Sequence, residues 1–158
     1  MTNFLLRPAR AADRPALRRI LRETGLFSRD ERDFLDGLIA DHVDGRDPDR
    51  RWFVALCGRH VTAGACLAPE ALAPDVLNLL FLGVERRARR QGTGGRVVTG
   101  IEGEARALGA RLVLIETSSL PGLAPARALY ARLGYAVDGT IRGYYGAGDD
   151  KLIFRKTL

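Results

Sequence analysis

Cysteine, histidine, tryptophan and methionine are scarce in this chain, and lysine is close to absent for so basic a protein. Its 158 residues include two cysteines, two histidines, one tryptophan and one methionine. A disulfide-built fold needs more cysteine than that. Cys57 and Cys66 stand in neighbouring apolar runs joined by Gly58-Arg59. In a hairpin Cys66 falls about six residues beyond the turn, roughly 20 Å from Cys57, which is too far for a bridge. Both read as small core hydrophobes. Neither stands with His42 or His60 at metal-ligand spacing, so no metal is expected. No apolar run approaches the ~18–20 residues that span a bilayer, and no membrane partner is expected. The first residues lack a basic-then-apolar leader, so the cytoplasm is the expected compartment.

What is present in quantity is arginine and glycine. The net charge is +6 and the pI is about 10.0, yet only Lys151 and Lys156 among the 25 basic residues are lysines. Nucleic acid, a membrane surface and a phosphorylated cofactor are all attracted by that sign, so charge alone does not choose among them. With 46% apolar and 28% charged residues, the whole chain, 1–158, reads as a single globular domain.

The hydrophobic period gives the element order. Residues 4–7 form a short strand, after which Asp13 is placed to cap a helix bearing Leu17, Ile20 and Leu21 and closed by Gly25. A second helix from about residue 30 carries Phe34, Leu35, Leu38, Ile39 and Val43 on one face. Residues 52–57 and 61–67 read as a hairpin turning at Gly58-Arg59. Residues 69–74 are turn-rich, and 76–84 is a strand apolar enough to be buried on both faces. A helix over 95–108 buries Val97, Val98, Ile101, Ala105 and Leu108 and ends at Gly109. A strand at 111–117, a short helix at 126–133 and a closing hairpin, 135–145 with 151–156, complete the chain. The order β-α-α-β-β-β-α-β-α-β-β predicts an α/β (α+β) fold. Its mixed, mostly antiparallel seven-stranded sheet carries helices on both faces and a parallel central pair, 76–84 with 111–117.

The chemistry concentrates where the central strand runs into Glu85-Arg86-Arg87-Ala88-Arg89-Arg90-Gln91-Gly92-Thr93-Gly94-Gly95 and then a helix. Glycines at a strand-to-helix junction let backbone N–H groups approach an anion, and the helix dipole adds positive charge there. Arg86, Arg87, Arg89, Arg90 and Arg96 flank the loop, so a di- or polyphosphate is the expected ligand. Arg96-Val97 cannot complete a Walker loop, and Val97 stands where a dinucleotide fingerprint needs Gly or Ala.

The remaining pattern, Arg89-x-x-Gly92-x-Gly94 after a buried strand, resembles the pyrophosphate loop of the GNAT superfamily of N-acetyltransferases. Ala126-x-x-Leu129-Tyr130-x-x-x-Gly134-Tyr135 resembles that superfamily's last helix and strand, and the element order is similar over residues 4–157. One departure stands out: Leu123 occupies a position where many members carry an Asn. The resemblance implies acetyl-coenzyme A as co-substrate, held by Arg89, Arg90, Gln91, Gly92, Thr93, Gly94 and Gly95. Backbone groups of Leu82, Gly83 and Val84 would bond its pantetheine arm. It further implies Tyr130 as general acid and Glu116 as base, with Glu85 a rival and Glu70 a distant third. Tyr144 and Tyr145, on opposite sides of their strand by alternation, would wall the acceptor site near Asp149 and Asp150.

The expected activity is acetylation of a primary amine by direct attack in a ternary complex, on a small molecule or a peptide N-terminus. A basic nucleic-acid- or ribosome-associated protein without catalysis is the alternative, and an acceptor that is itself a polyanion is a third. Nucleic acid as a partner stays open without being favoured, as does the choice between monomer and homodimer.

Overall fold

The computed structural model describes residues 3–158. Strands and helices follow in the order β1 (Phe4–Pro8), α1 (Arg14–Thr24), α2 (Arg29–Val43), β2 (Arg51–Cys57), β3 (His60–Glu70), β4 (Ala73–Val84), α3 (Thr93–Ala107), β5 (Leu112–Ser118), α4 (Ala124–Arg132), β6 (Ala136–Gly146) and β7 (Asp149–Thr157). The seven strands are ordered β1-β2-β3-β4-β5-β7-β6. The element order read from the periodicity is present in full. The chain divides into two compact units, one of residues up to Ala68 with Phe81–Gly100, the other of Pro69–Leu80 with Ile101–Leu158.

In the first unit β1, β2 and β3 pair antiparallel. Leu17, Ile20 and Leu21 of α1 and Ile39 of α2 are buried with Trp52, Val54 and Phe81. The Phe81 ring lies 5.6 Å from Trp52 and 6.1 Å from Phe27, centroid to centroid. Each such side chain contributes about 1.5–3 kcal/mol by leaving water. Gly83 is required by packing, since a Cβ there would lie 2.6 Å from Phe81 and 2.8 Å from Ile20. Cys57 pairs with His60 and Cys66 with Trp52, so the two thiols are far apart in register and both are free.

Two expectations for this unit need correction. Phe34 is 67% exposed: it precedes the buried Ile39 by five residues, which turns it about 140° away around the helix. Asp13 makes no side-chain cap for α1. It closes a 3₁₀ turn before it, accepting the Arg10 N–H at 2.8 Å and a two-pronged bond from Arg7 at 2.6 and 3.0 Å.

In the second unit β4 pairs parallel with β5 from Val76–Leu112 to Leu79–Ile115. β7 pairs antiparallel with β5 and with β6. Tyr130 of α4 meets Phe154 and Tyr135 edge-on at 5.6 and 6.3 Å. The 69–74 stretch is not a loop: β3 runs through Pro69 and β4 through Pro74, leaving Ala71-Leu72 as the turn. Pro125, expected ahead of the helix, lies inside the first turn of α4, where its missing N–H is no loss. Leu108 follows the last residue of α3 and is 44% exposed, whereas Gly109 (φ 79°) ends the helix as expected. β4 is buried from Val76 to Leu79 and again at Phe81, but Leu80, the first residue beyond the pairing with β5, is half exposed.

Candidate active site

The first unit carries the loop. After β4 the chain makes a 3₁₀ turn at Arg86–Ala88 and enters α3 at Thr93. Gly92 (φ 76°) and Arg90 (φ 61°) are left-handed, a conformation that costs a non-glycine residue ~1–2 kcal/mol. Side chains hold this shape. Arg89 donates from Nε to the Val84 carbonyl at 2.9 Å and from Nη2 to the Glu23 carbonyl at 2.8 Å. The Arg86 N–H donates to Glu23 at 2.7 Å. Gln91 and Thr93 donate to the carbonyls of Arg87 and Ala88 at 2.8 and 3.0 Å.

The first helical bond of α3 runs from the Arg96 N–H to the Gly92 carbonyl. The amides of Thr93, Gly94 and Gly95 therefore precede it without a helical acceptor. The first turn of α3 holds no acidic residue to neutralise them. A Cβ at Gly92 would meet nothing within 4 Å, so the backbone is open on that side. Free amides at such a helix start can receive an anion, and a pyrophosphate suits them chemically. The five arginines are not equivalent, however. Arg89 braces the loop, and the Arg96 guanidinium lies over the Phe4 ring at 4.2 Å. Arg86, Arg87 and Arg90 remain exposed.

Glu85, the rival base, is buried and bonded to His60 Nε2 at 2.8 and 3.0 Å and to Arg19 at 3.3 Å. Three elements converge on that carboxylate, which suits it to structure. Sequence reasoning left His60 isolated, because its partner lies 25 residues away. Glu70 accepts from Asn78 Nδ2 at 3.0 Å.

The second unit carries the other candidates. Glu116 pairs with Lys151, whose Nζ also stands 4.1 Å above the Tyr144 ring. Burial disfavours the Lys151 ammonium, but its bond to Glu116 outweighs that and holds the pKa above the ordinary lysine value. Tyr130 is 6% exposed, and burial pushes its hydroxyl up to about 12. That hydroxyl makes no hydrogen bond to any described residue of its own unit. Tyr130 contacts Phe154, which pairs with Ile115. Glu116, the next residue of β5, points to the opposite face.

The tyrosine pair departs from simple alternation. Tyr144 and Tyr145 touch each other, centroids 4.8 Å apart, rather than facing opposite ways. The β6–β7 register shifts between Ile141 and Gly146, and Gly143 is left-handed (φ 65°), so a bulge re-aims the side chains. Asp149 and Asp150 pair with neither Arg142 nor Lys151. Asp149 accepts from the Ser118 hydroxyl, and Asp150 accepts the Gly143 N–H at 2.8 Å. Leu123 closes a 3₁₀ turn before α4 and offers no polar cap. Among the described residues no cluster of three His, Cys, Asp or Glu is arranged to hold a metal. No helix there is long and apolar enough to cross a membrane.

Comparison with known proteins gives the family. The model of the acetyltransferase (GNAT) family matches residues 14–135. A GNAT-family structure from Desulfovibrio desulfuricans superposes with a TM-score of 0.91 at 26% identity, covering 98% of this chain and 99% of that one. The ribosomal-protein-S18-alanine N-acetyltransferase of Escherichia coli gives 0.78 at 20% identity, covering 99% and 94%. The aminoglycoside 6′-N-acetyltransferase of Enterococcus faecium gives 0.79 at 17% identity, covering 97% and 96%. No curated protein sequence matches the chain. The chain belongs to the acetyltransferase (GNAT) family, whose members use acetyl-coenzyme A.

Proposed function

We propose that this protein acetylates a primary amine by direct attack on acetyl-coenzyme A. The observation that carries the reading is the uncapped start of α3 behind a glycine turn at the end of β4. The amides of Thr93, Gly94 and Gly95 receive the pyrophosphate, with Arg90 adding charge beside them and Arg89, Gln91 and Gly92 keeping the loop in shape. Backbone groups of Leu82, Gly83 and Val84 receive the pantetheine arm. Acetyl-coenzyme A supplies the activated thioester.

Glu116 is the base. A free alkyl ammonium has a pKa near ~10, so a proton has to leave it at neutral pH. Lys151 holds the Glu116 carboxylate in place. Tyr130 donates to the developing thiolate. With its hydroxyl at about 12 and an ordinary thiol near ~8.5, complete transfer is uphill by about 5 kcal/mol. Its first contribution is thus a hydrogen bond to the charge as it forms. Tyr144 and Tyr145 present exposed rings beside Glu116 and Lys151 and wall the acceptor side.

The solved structures of similar fold include one named for an alanine of ribosomal protein S18 and one for an aminoglycoside, so both acceptor classes belong in the test. A panel of polyamines, free amino acids, aminoglycosides and short peptides is assayed by thiol release and mass spectrometry. The expected result is one added acetyl group on a free amine. Absence of thiol release above background across the panel, in protein that binds coenzyme A, counts against amine acetylation.

A further inference from the structure

We infer that the cleft between α1 and α2 is a binding site for a compact, multiply charged anion, separate from the loop at residues 89–95. Its walls are Arg18, Leu21 and Arg22 from α1 and Arg29, Arg32 and Asp33 from α2. Both sets follow the i, i+3, i+4 spacing, which places each on one face of its helix. Leu21, 1% exposed, forms a dry floor, and four guanidiniums face one carboxylate.

Elsewhere along the same two helices the charges are matched. Arg14 bonds Asp36 with both prongs at 2.8 Å, and Arg18 reaches the same carboxylate at 3.7 Å. Of the four cleft arginines only Arg18 has such a partner among the described residues of their unit. Arg32 is aimed by donating to the Phe27 carbonyl at 2.9 Å. Among the described residues of their unit, Arg22 and Arg29 have no carboxylate within ion-pair distance, and Asp33 has no cation within it. Four like charges around one concavity repel one another, and a bound anion removes that cost while accepting paired N–H donors from the guanidinium forks.

Size narrows the ligand. The cleft is open to solvent and has a volume of about 220 Å³. That accommodates pyrophosphate or a small polycarboxylate, compact anions that can meet several guanidiniums at once. The anion is carried by the acceptor or arrives as a free effector, and the chemistry of recognition is the same for both.

Calorimetric titration of inorganic pyrophosphate, and separately of citrate, into the full chain tests the site at low ionic strength. Saturable binding is expected, weakened about tenfold or more by Arg22→Glu or Arg29→Glu and retained by Arg90→Glu in the loop. Arg22 and Arg29 have no ion-pair partner to lose, and unchanged thermal melts of Arg22→Gln and Arg29→Gln check that the fold survives. No saturable binding of either anion overturns the inference. Binding abolished by Arg90→Glu and indifferent to Arg29→Glu also overturns it, since the anion then belongs to the loop. Once an acceptor is known, Arg29→Glu raising its KM identifies an acceptor-borne anion, and a changed kcat with unchanged KM identifies a free effector. The titration needs no acetyl transfer, so it stands or falls apart from the catalytic reading.

Discussion

At the scale of single residues, the pairing of Glu116 with Lys151 has the most to say about chemistry. The charged and titratable groups facing Glu116 are Lys151 and the two tyrosines of β6. Lys151→Met removes the ion-pair partner of Glu116 and is expected to reduce kcat/KM, and Lys151→Arg restores it. Glu116→Gln is expected to reduce kcat/KM at neutral pH, with the deficit shrinking as pH nears the amine's own pKa. A pH profile indifferent to both changes assigns the proton to solvent instead. Tyr130→Phe removes one hydroxyl from a well-packed ring. It is expected to cut kcat by roughly 10²–10⁴ if Tyr130 is the sole donor to sulfur, with coenzyme affinity unchanged. Activity within a few-fold of the parent returns Tyr130 to its aromatic cluster with Phe154 and Tyr135 as a packing residue.

At the scale of elements, the junction of β4 with α3 is where local sequence and function coincide. A β-branched side chain at Gly94 crowds the amides that precede the first helical bond. Gly94→Val is expected to weaken coenzyme A at least tenfold, about 1.4 kcal/mol, in protein whose melting is unchanged; equal affinity by calorimetry removes the loop from the binding site. This junction was legible from sequence because every part is local: an apolar run, glycines at fixed spacing, and a helix whose apolar face repeats at Val97, Val98, Ile101 and Ala105. The features that escaped are those made by pairing. Lys151 meets Glu116 because β7 lies beside β5, and His60 meets Glu85 across 25 residues. The bulge that turns Tyr144 and Tyr145 toward each other depends on a register shift that alternation cannot reveal. Phe34 and Leu108 were misplaced for a smaller reason: an apolar residue near the edge or end of a helical stripe reads like its buried neighbours.

At the scale of the whole molecule, acid should loosen the fold through carboxylates held by arginine. The Arg7 guanidinium lowers the pKa of Asp13, and Arg14 does the same for Asp36. A depressed carboxylate contributes its full stabilisation above its unfolded pKa, near ~4, and loses it as pH falls through the lower folded value. Asp13→Asn is accordingly expected to cost about 1–3 kcal/mol at neutral pH, with the difference from the parent closing below about pH 4. Denaturant melts across that range measure it, and a gap independent of pH denies the ion pair its role.

The route of the chain through its two units bears on synthesis. Phe81 belongs to the core around Trp52, so the first unit cannot close until the stretch ending at Gly100 has left the ribosome. By then Val76, Leu77 and Leu79 are also outside, and their partners at Leu112–Ile115 have yet to emerge. At ~5–20 residues per second that delay lasts a few seconds. During it the most apolar strand of the protein waits with one edge open, and the yield of soluble chain in a cell depends on how quickly the remaining residues follow.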